Sequence, residues 1–389
     1  MFVLEIVVIF WLMFCALSIG FSGLYFASMI RAASKPWRVK IDKKYSPKVT
    51  FLVPAYNESS TMHFKLENLN RVDYPKDKLQ IIIIDSNSSD NTVEIMTNFV
   101  ECHPEFNIKV LAETWRDGKA AALNRALDYA TGEVIIVSDA DCFYQSDVLR
   151  KSLPYLADPK VGAISGPKIL LNDESSQVVK KEENYLRSMN LAKLGESKIG
   201  FTPLFEGGFS AYKRAALSSF DPYKTGSDDC GTVITLAERS YSALLVPEAE
   251  FFTTFPVTNR ERWGIKIRRS SQLVRVFREY LYLFMRGRIK TAKRVIFANV
   301  LVFLFCPFFF LIFLFLTIGT FTFYPYVGLI FLLLLAPKVG PMLIEVVQSY
   351  FVLLFSVFSV LFRRDFLIWK QPADRHLFTE KILKQHNLI

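Results

Sequence analysis

The chain has 389 residues, with 47 Lys plus Arg against 37 Asp plus Glu, a formal net charge of +10, 51% hydrophobic residues and a mean hydropathy of +0.24. That is too apolar for one water-soluble domain, too charged for a chain made only of membrane helices, and too rich in large apolar residues for disorder. The cysteines at 15, 102, 142, 230 and 306 have no CxxC spacing and no His partners, so neither a zinc site nor a disulfide framework is expected, and buried thiols in a reducing compartment are.

Residues 1–30 are apolar apart from Glu5 and small polar residues, long enough as a helix to exceed the ~30 Å hydrocarbon core. The apolar run begins at Phe2 and ends directly in Arg31, a pattern that predicts a retained anchor rather than a cleaved signal. Residues 31–47 form a basic strip (Arg31, Lys35, Arg38, Lys40, Lys43, Lys44), which by the positive-inside bias puts the following domain in the cytoplasm and the N-terminus outside.

From 48 to 258 short β-rich runs alternate with helical patterns. Strands are expected at Val49 to Ala55, Leu79 to Asp85, Ile108 to Ala112 and Glu133 to Asp139. The runs VTFLVPAY, LQIIIIDS and EVIIVSDAD are nearly continuous apolar stretches, as parallel strands covered on both faces require. This predicts an α/β domain with a mostly parallel central sheet, in which ligands bind beyond the carboxyl ends of the strands.

Those ends are rich in carboxylates: Tyr56-Asn57-Glu58 after the first run, Asp85 onward after the second, Asp139-Ala140-Asp141 after the fourth. Side chains alternate along an extended segment, so Asp139 and Asp141 point the same way, two hard oxygen donors suited to Mg2+ or Mn2+ and through it to diphosphate. At this Asp content a DxD triplet arises about once by chance, so its place at a strand end is the informative part. P-loop and GxGxxG signatures are missing, which removes the usual marks of phosphoryl transfer and dinucleotide redox chemistry. Phosphate must then be met by metal and by basic side chains such as Lys119, which opens a helix after Gly118. Farther on, Glu206-Gly207-Gly208-Phe209 offers glycines where backbone could approach a ligand, and Ser227-Asp228-Asp229 precedes a helical run, where paired acids serve equally well as caps.

Residues 259–294 hold 12 basic and 2 acidic residues interleaved with apolar ones, as expected of amphipathic helices in the headgroup region; nucleic-acid binding is a poor alternative for a stretch leading into a membrane segment. Residues 295–362 read as a C-terminal membrane region of two to three segments. Val295–Ala336 is long enough for two spans turning near Tyr324-Pro325-Tyr326, and Met342–Phe362, interrupted by Glu345 and Gln348, is expected partly in the interface. If all three crossed, the tail 363–389 would end outside, against its six basic and three acidic residues.

In order along the chain, VPAYNE at 53 to 58, IIIDSNSSD at 82 to 90, DGKAAALNRAL at 117 to 127, VSDAD at 137 to 141, EGGFSAYKR at 206 to 214 and SDD at 227 to 229 resemble the membrane-anchored, family-two inverting glycosyltransferases of GT-A fold, the group of cellulose, hyaluronan and polyprenyl-phosphate sugar synthases. The resemblance implies that Tyr56, Glu58 and Asp85 hold the nucleoside, with Lys119 near the nucleotide. It further implies that Asp139 contacts the ribose-diphosphate region and shares the metal with Asp141, that Gly207, Gly208 and Phe209 lie in the sugar region, and that Asp229 is the general base beside Asp228. The family's TED triplet is Ser227-Asp228-Asp229 here. The QxxRW of processive members is not matched, since Gln272-Leu273-Val274-Arg275 runs into Val276; this favours transfer of a single sugar over polymerisation. Arg268, Arg269 and Gln272 are expected at the diphosphate or a lipid phosphate. The expected function is transfer of a sugar from a nucleotide-sugar donor, UDP-linked by preference, to a lipid-linked or membrane-proximal acceptor, with a processive synthase or a non-catalytic nucleotide-sugar-binding scaffold as alternatives. The sequons at Asn57 and Asn87 are read as site loops, and the histidines at 63, 103, 376 and 386 do not cluster.

Overall fold

The computed structural model describes residues 2–172, 175–324, 339–362 and 380–389. It opens with α1 (Phe2–Cys15) and α2 (Phe21–Ala33), joined by a π-helical turn at Ala16–Gly20. The four expected strands follow as β1 (Val49–Ala55), β2 (Leu79–Asp85), β3 (Asn107–Ala112) and β4 (Val134–Val137), with α3 (Ser59–Asn70), α4 (Thr92–Cys102) and α5 (Lys119–Leu127) between them. After α6 (Val148–Ser152) come β5 (Val161–Ser165), β6 (Lys168–Leu170), the long α7 (Gln177–Ile199), β7 (Ser210–Lys213), α8 (Val233–Glu238), β8 (Ser242–Leu245) and β9 (Phe251–Thr253).

Seven strands form one sheet in the order β3-β2-β1-β4-β7-β5-β8, parallel except for β7, and β6 pairs with β9 in a small second sheet. This is a GT-A-like α/β fold. Alternation along the central strands builds two cores. Phe51, Val53, Ile81, Ile83 and Ile136 pack on Met62, Leu66 and Met96 of α3 and α4. Leu52, Ile82, Ile84 and Ile135 pack on Leu123 and Ala126 of α5 and on Ile234 of α8.

The second core also takes Val276, Phe277, Tyr280 and Leu283 of α9 (Asn259–Met285), whose first turn is capped by the Thr258 hydroxyl. The basic segment expected at the interface therefore differs from a helix lying only in headgroups: its apolar stripe completes the sheet domain's hydrophobic layer. α7 is bound as closely to the N-terminal helix, where a Cβ on Gly195 would lie 1.8 Å from the Met29 carbonyl oxygen; only glycine permits that approach.

Then follow α10 (Lys293–Val300), a π-helical turn at Leu301–Phe305, α11 (Cys306–Phe323), α12 (Val339–Leu361) and α13 (Glu380–Gln385). Among the described residues, three stretches are long and apolar enough to cross a membrane: Glu5–Ala33, Lys293–Phe323 and Leu343–Leu361. The block expected to hold two spans forms one helical passage as far as Phe323, residues 325–338 lie outside the described ones, and the segment expected in the interface is itself of spanning length. Several polar groups in these helices pair across them: the Trp11 indole donates to Thr317 Oγ1 at 2.9 Å, and Ser22 Oγ and Tyr350 Oη share a hydrogen bond at 2.6 Å. Glu345 of α12 meets Arg262 Nη2 at 3.1 Å and the Lys266 ammonium, both from α9, while Arg262 Nε reaches Glu182 of α7 at 3.0 Å.

Candidate active site

The strand ends are locked to one another by short polar side chains. Asn57 N donates to Ser88 Oγ and Ser89 N to Asn57 Oδ1, each at 2.8 Å, and Asp90 accepts from Ser59 N at 3.1 Å. Asn57 and Asn87 adopt left-handed backbone at φ 52° and 63°, a conformation that asparagine tolerates better than most residues. Asp85 is buried and accepts from Ser88 N at 2.9 Å and from the Ser88 hydroxyl. Ser86 lines the hollow beyond the sheet, and the buried Asp85 carboxylate beside it, expected at the nucleoside, shapes this loop.

That hollow is a cavity of about 1020 Å³ lined by residues from β1, α5, α7, α9, the loop after β4 and the loops before α8. Tyr56 and Glu58 stand at one end, with the Arg116 guanidinium 3.8 Å from the centroid of the Tyr56 ring. Gly118 at φ +90° delivers Lys119 to the first turn of α5. Lys119 Nζ lies 2.6 Å from Asp139 Oδ1 and 2.7 Å from Asp228 Oδ2. Burial works to lower the pKa of this ammonium, but the two carboxylates outweigh it and hold it above the ordinary lysine value.

Asp139, Asp141 and Cys142 offer ligand atoms within 4.8 Å of one another. Burial pushes the Cys142 thiol well above its usual pKa, so it remains a thiol, and the two carboxylates supply the hard oxygens that Mg2+ or Mn2+ prefers. The donor set fits such an ion, with Asp139 shared with Lys119. Asp141 is buried and accepts from Thr253 Oγ1 at 3.4 Å.

Across the cavity the Asp228–Asp229 loop is fixed from three sides. Asp221 accepts from Thr225 N at 2.9 Å and Gly226 N at 2.7 Å, Gln272 of α9 donates to the Gly226 carbonyl, and Asp229 Oδ1 accepts from Cys230 N at 2.6 Å and from the Ser227 hydroxyl. Asp229 Oδ2 is turned toward Gly207: a Cβ there would sit 3.4 Å from it, 3.7 Å from Asp228 Oδ2 and 3.1 Å from Lys119 Nζ. Gln272, expected at phosphate, thus lines the cavity and also holds the loop that carries the acids.

Gly208 lines the cavity too, but Phe209 does not. Its side chain is fully buried in the core, edge-on to Tyr144 with ring centroids 5.4 Å apart, so of the three residues expected in the sugar region only the two glycines reach the cavity. Arg268 and Arg269 line the cavity with Lys168, Tyr185, Lys193 and Lys266, as do Phe303, Ser349, Val352 and Leu353 of the apolar helices. Sequence reasoning missed Arg116, Lys168, Lys193 and Glu182, which come from the loop before α5, from β6 and from two turns of α7 with no shared motif. Burial would raise the Glu206 carboxyl, but Lys193, Arg269 and Lys168 outweigh it and hold it down to about 2.

A parallel sheet whose carboxyl edge gathers acids suited to a cation, a lysine between them and a cavity opening toward apolar helices defines the GT-A class of nucleotide-sugar enzymes. Residues 50–220 match the model of Glycosyl transferase family 2, and the chain carries a domain of that family. It is similar to the mannosyltransferase PcManGT from Pyrobaculum calidifontis, solved in complex with GDP-Man and Mn2+, at 29% identity and a TM-score of 0.77, covering 92% of this chain and 100% of that one. Among curated proteins it is 32% identical over 127 residues to a beta-monoglucosyldiacylglycerol synthase of Synechocystis sp., 33% of this chain and 26% of the relative. It is 27% identical over 247 residues to a poly-beta-1,6-N-acetyl-D-glucosamine synthase of Staphylococcus epidermidis, 63% of this chain and 59% of the relative. The chain thus spans less than two thirds of the length of these curated relatives.

Proposed function

We propose that the chain transfers a sugar from a nucleotide-sugar donor to a hydroxyl of a lipid-linked or membrane-proximal acceptor, by single displacement with inversion, on the cytoplasmic side of a membrane. One observation carries this reading: the cavity that holds Asp139, Asp141, Lys119 and Asp229 is continuous with a cationic wall from α9 and with Ser349, Val352 and Leu353 of an apolar helix. A soluble acceptor has no use for that apolar end; an acceptor with a hydrocarbon tail does. The strip at 31–47 supports the cytoplasmic assignment.

In this reading Asp229 takes the proton of the acceptor hydroxyl as it attacks the anomeric carbon. One of its oxygens is tethered by Ser227 and Cys230 N while the other faces Gly207, so the base is oriented before substrate arrives. Asp139 and Asp141 would hold Mg2+ or Mn2+, which when bound neutralises charge growing on the leaving diphosphate. Lys119 adds a fixed positive charge on the same side, and Tyr56 with Arg116 offers a stacked face for the nucleoside. The mismatch with QxxRW supports addition of one sugar per encounter.

The test uses the whole chain in detergent with Mn2+, a lipid extract as acceptor and a panel of GDP- and UDP-sugars, beginning with GDP-mannose because PcManGT is solved with it. Asp229→Asn should lower turnover by about 10² to 10⁴-fold with donor affinity retained. Unchanged turnover in that variant would remove the proposal's basis.

A further inference from the structure

The last ten residues return to the catalytic domain. Leu383 and Leu388 are buried in one cluster with Phe143, Leu171 and Phe252, and Gln145 Nε2 donates to the His386 carbonyl at 2.9 Å. The buried Asn68 of α3 joins this tail to the loop after Asp141: its Nδ2 donates to the Leu388 carbonyl at 2.6 Å and to the Tyr144 carbonyl at 2.8 Å, and its Oδ1 accepts from Tyr144 N at 2.9 Å. Phe143 in turn exchanges two backbone hydrogen bonds of 2.9 Å with Phe252, the neighbour of the Thr253 that reaches Asp141. Besides Leu171 and Asn68, the tail therefore rests on Phe143 and Gln145, two and four positions from Asp141, and on Phe252 of the strand that meets it.

We propose that residues 380–389 are a brace that positions the metal-binding loop, so that cation affinity depends on a segment far away in sequence. The inference rests on the reading of Asp139 and Asp141 as cation ligands. Leu383, Leu388 and Asn68 act through the loop and touch no substrate; they are positioning residues. The mechanism is one of restricted freedom: with Phe143 pinned between Phe252 and the tail, the Asp141 carboxylate is held on the cavity side, and without the tail one face of Phe143 meets water and the loop samples other geometries.

The experiment compares the intact chain with a truncation ending at 379 and with the full-length Leu383→Ser/Leu388→Ser variant, in the same detergent. Three quantities are read: hydrogen exchange of the Phe143 and Tyr144 amides, Mn2+ half-saturation in the presence of nucleoside diphosphate, and the melting temperature. The brace predicts at least tenfold faster exchange at both amides, about tenfold more Mn2+ for half-saturation, turnover at saturating Mn2+ within twofold, and recovery on adding the 380–389 peptide. Unchanged half-saturation in either variant overturns it, as does a half-saturation that shifts only in step with melting of the whole domain. If the truncated chain does not fold, the full-length double variant decides. An intact chain that binds no Mn2+ sinks the cation reading itself, an outcome distinct from one in which Mn2+ binds equally well with and without the tail.

Discussion

Replacing Lys119 by methionine removes a charge while keeping the bulk of the side chain, and the structure sets the size of the effect. The ammonium lies 2.6 Å from an Asp139 oxygen and 2.7 Å from an Asp228 oxygen, so those oxygens are at most the sum of these, 5.3 Å, apart. Two unit negative charges at that separation repel by about 3 kcal/mol at an effective dielectric constant of ~20. The three side chains are only 18% to 30% exposed, so solvent screening removes a modest share. In Lys119→Met a divalent ion at Asp139 and Asp141 would take over the neutralising role, so Mn2+ should bind the donor-free chain more tightly. Relief of the whole repulsion would amount to roughly a hundredfold; with relaxation of the Asp228 side chain about half of the energy, or tenfold, is expected. Donor turnover should move the other way, falling about a hundredfold with the loss of a cation aimed at the diphosphate. Calorimetric titration with Mn2+ in the absence of donor, alongside turnover of a labelled nucleotide sugar, reads both. Weaker or unchanged Mn2+ binding in the variant would refute the reasoning that lysine and metal share Asp139.

The adjacent glycines should behave differently when changed to alanine. At Gly208 the new methyl would sit 2.2 Å from the Phe251 ring, and this overpacking should cost about 1–3 kcal/mol in thermal unfolding; at Gly207 it meets the flexible end of Lys119 at 3.1 Å, so melting should hold while turnover drops. Arg262→Met strands Glu182, which is 2% exposed, at a cost of about 3–5 kcal/mol; adding Glu182→Leu should return melting close to that of the parent, and a double variant as unstable as the single one contradicts the argument. Glu206, with its folded pKa near 2 against an ordinary 4.5, contributes stability that is complete above about pH 4.5 and is lost as pH falls toward 2. The full span is worth about 3 kcal/mol, so acid melting curves should flatten in Glu206→Gln, and an unchanged acid limb there would count against the assignment.

Legibility followed the range of the interactions. The central strands were readable almost to the residue because each is buried on both faces by local composition alone, as in LQIIIID, and the acids at their ends follow from where a parallel sheet binds ligands. Most expected site residues share one cavity for the same reason. Phe209 and Asp85 show the limit: sequence placed them beside the site, but only the packing of Tyr144 and the hydrogen bonds of Ser88 decide that one is core and the other a loop former. The partners of Arg262 and Glu345 were invisible because α7, α9 and α12 are brought together only by tertiary packing across 80 residues or more. The apolar stripe of α9 was legible as a stripe, but a stripe does not say whether protein or lipid covers it.

The docked tail has a bearing on parity. A polypeptide whose final residues rest against its own sheet domain must, between the two, leave that compartment as often as it re-enters. An even number of bilayer passages between the two satisfies this, and Lys293–Phe323 and Leu343–Leu361 are two described stretches long enough to supply it. Lys381 and Lys384 of the docked tail then share the side of the sheet domain and of the basic strip at 31–47, as the positive-inside bias asks of cations.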